Sequence, residues 1–175
     1  TFMRKLLNGI VTFRRTQQAT YRAVVDGLIG GQSPDVFFIA CSDSRLIPNA
    51  FASAEPGDLF VFRNVGNLIP PCDKHGHSLT DESEAAAIEF AVNTLKVSDI
   101  ILCGHSECGA MRALIDGRTR VPFPNLRNWL RHGDPALTAL RSGATTPRDH
   151  SRTEVDQLSQ INVLIQKENV ISYPA

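Results

Sequence analysis

Two short stretches carry the residues whose types and spacing could do chemistry: ACSDSR at 40–45 and CGHSECGA at 103–110. Cys41, His105 and Cys108 together offer two thiolates and an imidazole, a donor set that zinc favours as a borderline-soft ion. Three protein ligands leave one tetrahedral position, which holds water in a catalytic site and a fourth protein ligand in a structural one. Asp43, two residues beyond Cys41, is the near candidate for that fourth ligand. A zinc dication with two thiolates and a neutral imidazole is formally uncharged, so its water is expected to be less acidic than at a three-histidine site. Coordination by Asp43 would make the site net negative and displace the water. Arg45 supplies the restraint, because a planar guanidinium can grip a carboxylate with two hydrogen bonds and hold Asp43 beside the metal, ready to orient zinc-bound water.

Such a site requires a fold that brings the two stretches together. The run DVFFIAC at 35–41 ends on Cys41, and DIILCG at 99–104 ends directly before His105. Short continuous apolar runs suit strands buried on both faces, and a third, DLFVFRN, lies at 58–64. Between the second and third runs, ESEAAAIEFAVNTLK has the alanine-rich pattern of a helix. Strands separated by helical segments predict an α/β domain with a central parallel sheet flanked by helices. Ligands of such folds gather beyond the carboxyl ends of the strands, where Cys41 and His105 fall.

Upstream, Phe2, Leu6, Ile10, Phe13, Tyr21, Val25 and Leu28 recur at helical spacing, which predicts a long or broken amphipathic helix ended by GGQSP at 30–34. This stripe reads as a core or dimer contact rather than a membrane face. Downstream, GAMRALIDG reads as a helix closed by Gly117, and FPNLRNWLRHG as another started after Pro124. A last helix spans SRTEVDQLSQINVLIQKENVI, with Leu158, Ile161, Leu164 and Ile165 expected on one face. The loop PPCDKHGHSLTDES is polar, so Cys72, His75 and His77 read as a solvated loop rather than a second metal cluster. Cys103 reads as a packed thiol, and His132 and His150 as surface residues.

A chain of 175 residues is the size of one domain able to bury its own core. Lysine plus arginine equal aspartate plus glutamate at 18 each, so no basic footprint for nucleic acid or an anionic membrane is present, and a small neutral or anionic ligand fits better. No apolar run reaches the ~18 residues of a membrane-spanning helix, so no membrane contact is expected from this segment. Four irregularly spaced cysteines do not read as a disulfide framework and point to a reducing compartment, with the cytoplasm as the expected location.

The two stretches, together with EPGDLFVFRNVGNLIPP at 55–71, EFAVNTLKVSDIILCGH at 89–105 and the final ENVI, resemble the β-class carbonic anhydrases over most of the chain. The resemblance implies a Zn2+ cofactor on Cys41, His105 and Cys108, an Asp43–Arg45 dyad, and reversible hydration of carbon dioxide to bicarbonate and a proton by zinc-bound hydroxide. It divides the domain into an N-terminal helical arm over 1–30, a zinc-site core over 34–117 and C-terminal helices over 118–175, with the arm wrapping a partner in a homodimer or higher homo-oligomer. In some members of that family Asp43 would close the site as a fourth ligand, so a catalytically silent or regulatory zinc domain is one alternative. A carbon disulfide or carbonyl sulfide hydrolase on the same scaffold is another.

Departures from the family pattern fall at Glu82, Ser83 and Ala85, where glycines are usual, at Phe90, where tyrosine is common, and in the longer loop at 72–81. Ser83 is expected to add a side chain beside the pocket. The family continues past the last helix into another strand, so the resemblance also implies a C-terminally truncated domain of a longer chain, with a membrane transporter as one expected neighbour.

Overall fold

The computed structural model describes residues 2–80, 82–143 and 151–174; His150 lies outside them. Three strands, β1 (Val36–Cys41), β2 (Leu59–Asn64) and β3 (Asp99–Cys103), form a parallel sheet in the order β2-β1-β3. Aromatic and β-branched residues make β1 the natural centre, and Phe37, Ile39 and Ala40 are fully buried there. Burial on both faces, expected of all three runs, holds for β1 alone. β2 is half-buried throughout, and on β3 Ile100 and Ile101 are exposed, because β3 has β1 as its one strand neighbour among the described residues. The register sets Cys41 opposite Asn64 and Ala40 opposite Cys103, so β1 and β3 finish nearly level and release both chemical stretches at one edge.

The N-terminal periodicity becomes two helices, α1 (Phe2–Thr16) and α2 (Gln18–Asp26), broken at Gln17 and without a buried residue in either. After the short α3 (Pro48–Phe51), the alanine-rich segment forms α4 (Glu82–Glu89), which widens into a π-helical stretch over Phe90–Leu95. Lys96 ends that stretch in the left-handed region at φ 58°, with its N–H returned to the Ala91 carbonyl. α5 (Gly109–Ile115) and α6 (Pro124–Trp129) stand where the sequence predicts them. α7 (Asp134–Ser142) goes beyond that reading, although Pro135 in its first turn and Gly143 at its end are ordinary start and stop signals.

The last helix, α8 (Glu154–Ile171), starts at Thr153, whose hydroxyl accepts the Asp156 N–H. Its buried face departs from the expected apolar row: Leu164 is exposed, whereas Asn162 and Gln166 are buried beside Leu158 and Ile161. The irregular segment 66–70 explains this, since its backbone lacks sheet partners and must find others. Asn162 Nδ2 donates to Gly66 O (3.1 Å), and Gln166 Oε1 accepts the Ile69 N–H (2.7 Å). Asn169 Nδ2 donates to Ile69 O (2.7 Å), and Tyr173 donates its hydroxyl to Pro70 O (2.7 Å). Among the described residues, no helix is long and apolar enough to cross a membrane.

Candidate metal centre

Cys41 is the last residue of β1, His105 lies in the turn after β3, and Cys108 sits at the N-terminal boundary of α5. One ligand-type atom from each lies within 4.8 Å of the others, the two sulfurs in the apolar cluster around Met111, Leu114 and Leu158. His105 Nδ1 is 2.8 Å from the Ser106 carbonyl, a contact that requires the ring proton on Nδ1 and leaves a lone pair on Nε2. Nε2 is buried and has no hydrogen-bond partner. A buried imidazole nitrogen left unspent between two thiols is costly unless it binds something, and sulfur, sulfur and nitrogen together fit zinc.

The two cysteines divide one proton. Hydrogen bonding from the Cys108 sulfhydryl, helped by the Gly66 N–H at 3.3 Å, pulls the Cys41 thiol well below its ordinary range, while the same bond and burial push Cys108 up. Binding of a dication would release the shared proton. Gly66 is required for the approach: it has φ +87°, and an added Cβ would lie 2.8 Å from the Ala110 side chain.

Asp43 and Arg45 form the fork that the sequence predicts. Arg45 Nε donates to Asp43 Oδ1 (2.9 Å), Nη2 to Oδ2 (2.8 Å), and the Arg45 backbone N–H to Oδ1 (3.0 Å). The guanidinium holds the Asp43 carboxyl well below the usual carboxylate range. Arg45 Nη2 also donates to Glu107 O (3.0 Å), tying the first stretch to the second. Asp43 Oδ2 is 4.0 Å from His105 Nε2, beside the three ligand atoms yet engaged by arginine.

Arg63 escaped the sequence reading. It donates from Nε to Cys41 O (3.0 Å) and from Nη2 to Asp43 O (2.7 Å), fixing the backbone that carries both residues. A cation directly after the apolar stretch LFVF of the run DLFVFRN was the available signal. Glu84 is a second buried group, its carboxylate accepting from Asn64 Nδ2 at 3.1 Å. Ser83, exposed at the start of α4, lines a cleft of about 370 Å³ with Ser42, Arg63 and Asn64, whose lining includes none of the three candidate ligands. Ala85 is buried and Glu82 exposed, and the Phe90 ring packs 5.7 Å from that of Phe60.

Elsewhere the cysteines and histidines are spent otherwise. The Cys72 sulfhydryl donates to Ser172 O (2.8 Å), and His75 and His77 are exposed with their backbone N–H groups on Asp73 Oδ1. Cys103 is half-buried with its sulfur 3.4 Å from Gly104 O. His132, expected at the surface, is half-buried against Trp129, with ring centroids 5.3 Å apart.

A family model described as carbonic anhydrase matches residues 36–175. A curated carbonic anhydrase of Synechocystis sp. is 35% identical over 178 residues, covering 99% of this chain and 61% of that protein, so the chain spans about three fifths of that relative. The solved β-carbonic anhydrase CcaA superposes with a TM-score of 0.86 at 34% identity, over 99% of this chain and 75% of the other. A structure from work on two tetrameric β-carbonic anhydrases of the filamentous ascomycete Sordaria macrospora gives 0.81 at 30% identity, over 99% and 82%.

Proposed function

The chain belongs to the β class of the carbonic anhydrase family, and from that premise we propose that it catalyses the reversible hydration of carbon dioxide to bicarbonate and a proton, with zinc held by Cys41, His105 and Cys108. The observation that carries this reading is the convergence of those three donors beside an Asp43 carboxylate that Arg45 has already engaged. Zinc held there would supply the Lewis acidity that makes water a competent nucleophile near neutral pH.

The chain's own groups supply orientation. Asp43, kept ionised by Arg45, accepts a hydrogen bond from the attacking water and points its lone pair at the carbon of carbon dioxide. Arg63, holding the carbonyls of Cys41 and Asp43, keeps that carboxylate from drifting. Bicarbonate then leaves, and the proton passes to buffer. The fork on Asp43 favours this open arrangement over the silent one in which Asp43 closes the site, because turning the carboxylate away would break its bonds to the Arg45 side chain.

The unburied apolar stripe of α1, with Phe2, Met3, Leu6, Leu7, Ile10 and Val11 exposed, supports a homodimer or larger assembly in which these side chains are covered. Four free thiols fit a reducing compartment such as the cytoplasm. Stopped-flow hydration assays from pH 6.5 to 9 on zinc-loaded protein, with Asp43→Ala alongside, test the activity. Hydration by the parent and a large loss in Asp43→Ala are expected; full zinc occupancy without hydration at any pH would overturn the assignment. Light scattering on Ile10→Asp is expected to show a smaller species than the parent.

A further inference from the structure

Between the candidate ligands His105 and Cys108, Glu107 adopts φ +52°, a left-handed conformation that a residue with a Cβ holds only when its surroundings fix it. Three contacts surround that residue. Its N–H donates to Asp156 Oδ1 at 2.8 Å, its carbonyl accepts Arg45 Nη2 at 3.0 Å, and its own carboxylate accepts Arg112 Nη2 at 3.1 Å. Asp156 belongs to the first turn of α8, 49 residues away in sequence, and its backbone N–H is itself fixed on Thr153 Oγ1. One residue thus joins the start of α8, the turn carrying two candidate ligands, and the guanidinium that engages Asp43.

We propose that Asp156 is a positioning residue for the metal centre: by holding the Glu107 N–H it fixes the turn that spaces His105 from Cys108 and keeps the Glu107 carbonyl where Arg45 can use it while gripping Asp43. The proposal rests on the reading of Cys41, His105 and Cys108 as zinc ligands and extends it to a helix that contributes no ligand. Asp156 touches neither ligand nor substrate, so its effect passes through the Glu107 peptide. Without it, the left-handed turn loses its side-chain acceptor on α8, the spacing of the two ligands loosens, and Arg45 loses a fixed carbonyl. Partners one step removed from a metal site commonly alter affinity by about 10–100-fold when removed, and the lower end is expected for a contact made through backbone.

The test compares Asp156→Ala, Asp156→Asn and Glu154→Ala in the full chain, with zinc affinity from chelator competition and hydrogen exchange at the Glu107 amide as readouts that need no turnover. Asp156→Asn keeps an acceptor oxygen without the charge. Glu154→Ala removes another acidic residue from the first turn of α8 and leaves Glu107 untouched. Expected are a protected Glu107 amide in the parent, loss of that protection with about tenfold weaker zinc binding in Asp156→Ala, and near-parent values in Asp156→Asn and Glu154→Ala. Equal weakening in Glu154→Ala, or no rescue by asparagine, would overturn the proposal by making the effect one of helix charge. An unprotected Glu107 amide in the parent would overturn it even if Asp156→Ala failed to fold. Zinc affinities in the expected order without carbon dioxide hydration would sink the activity and leave the positioning role standing, whereas a parent that bound no zinc would sink both.

Discussion

The turn-rich loop around Cys72 and the edge where β1 and β3 end contain the same residue types, yet among the described residues only the edge brings its donors within reach of one ion. At the sheet edge, Cys41 and His105 arrive from neighbouring strands and Cys108 from the helix start, and a buried imidazole nitrogen is left without a partner. In the loop, the Cys72 sulfhydryl donates its hydrogen bond to the Ser172 carbonyl, while His75 and His77 turn their rings to water and their backbone N–H groups to Asp73. Donor type is therefore a weak criterion. Convergence from separate elements, burial, and a donor with nothing else to do distinguish the site from the loop.

The largest test of this contrast is metal content. Cys41→Ser is expected to lower zinc from about one ion per chain to almost none after dialysis, because two remaining donors cannot complete a tetrahedral site. Cys72→Ser should leave the stoichiometry unchanged. Mass spectrometry for metal on both proteins decides; zinc lost equally from both would erase the distinction.

Next in size is the effect on turnover. Arg45→Ala removes the fork from Asp43 but none of the three candidate ligands, so zinc should remain while carbon dioxide hydration falls by about 100-fold. Asp73→Ala, which removes the acceptor at the centre of the loop, should leave hydration near the parent rate. Parent-like turnover in Arg45→Ala would remove the case for a positioned carboxylate.

Much of the candidate site was legible because its residues are short-range neighbours at strand ends: Cys41, Asp43 and Arg45 lie within one stretch, and His105 and Cys108 within another. The three strands were legible as apolar runs, although the poor cover on β2 and β3 was not, since strand order is not written in a local pattern. Contacts made across the chain were harder to see. Arg63 reaches back 22 residues to the Cys41 carbonyl, and Asn162 reaches back 96 to that of Gly66. Asn162 and Gln166 lie outside the apolar row expected of α8, and the backbone of 66–70, which has no strand beside it, gives them a reason to be buried.

Two glycines sharpen the contrast at a smaller scale. Gly66 (φ +87°) and Gly76 (φ +84°) share a left-handed backbone, and a Cβ on either would crowd a neighbour, Ala110 at 2.8 Å for the first and Pro174 at 2.7 Å for the second. Alanine at either position should cost about 1–3 kcal/mol in thermal or denaturant unfolding. Zinc affinity should separate them, because only Gly66 donates its N–H to Cys41 Sγ. Equal zinc affinities in the two variants would mean that this N–H does not help hold the thiolate.

The smallest expected effect concerns how each region holds its aspartate. Asp43 is gripped chiefly by a side chain, which one substitution removes, whereas Asp73 is held below its ordinary value of 3.8 chiefly by the backbone N–H groups of His75 and His77. A depressed carboxyl favours the folded loop above that ordinary value, and the benefit is lost as pH falls through the lowered one, so this carboxylate's contribution should be constant near neutrality. Replacing either histidine by alanine keeps its N–H, and the looser contact from His77 Nδ1 to Asp73 Oδ2, at 3.9 Å, adds little. Carboxyl carbon titrations of His75→Ala and His77→Ala should therefore still place Asp73 below 3.8. A return to the ordinary value in His77→Ala would show that the ring, and not the backbone, holds the carboxylate, and the loop would then share with the metal centre the side-chain control that now sets the two apart.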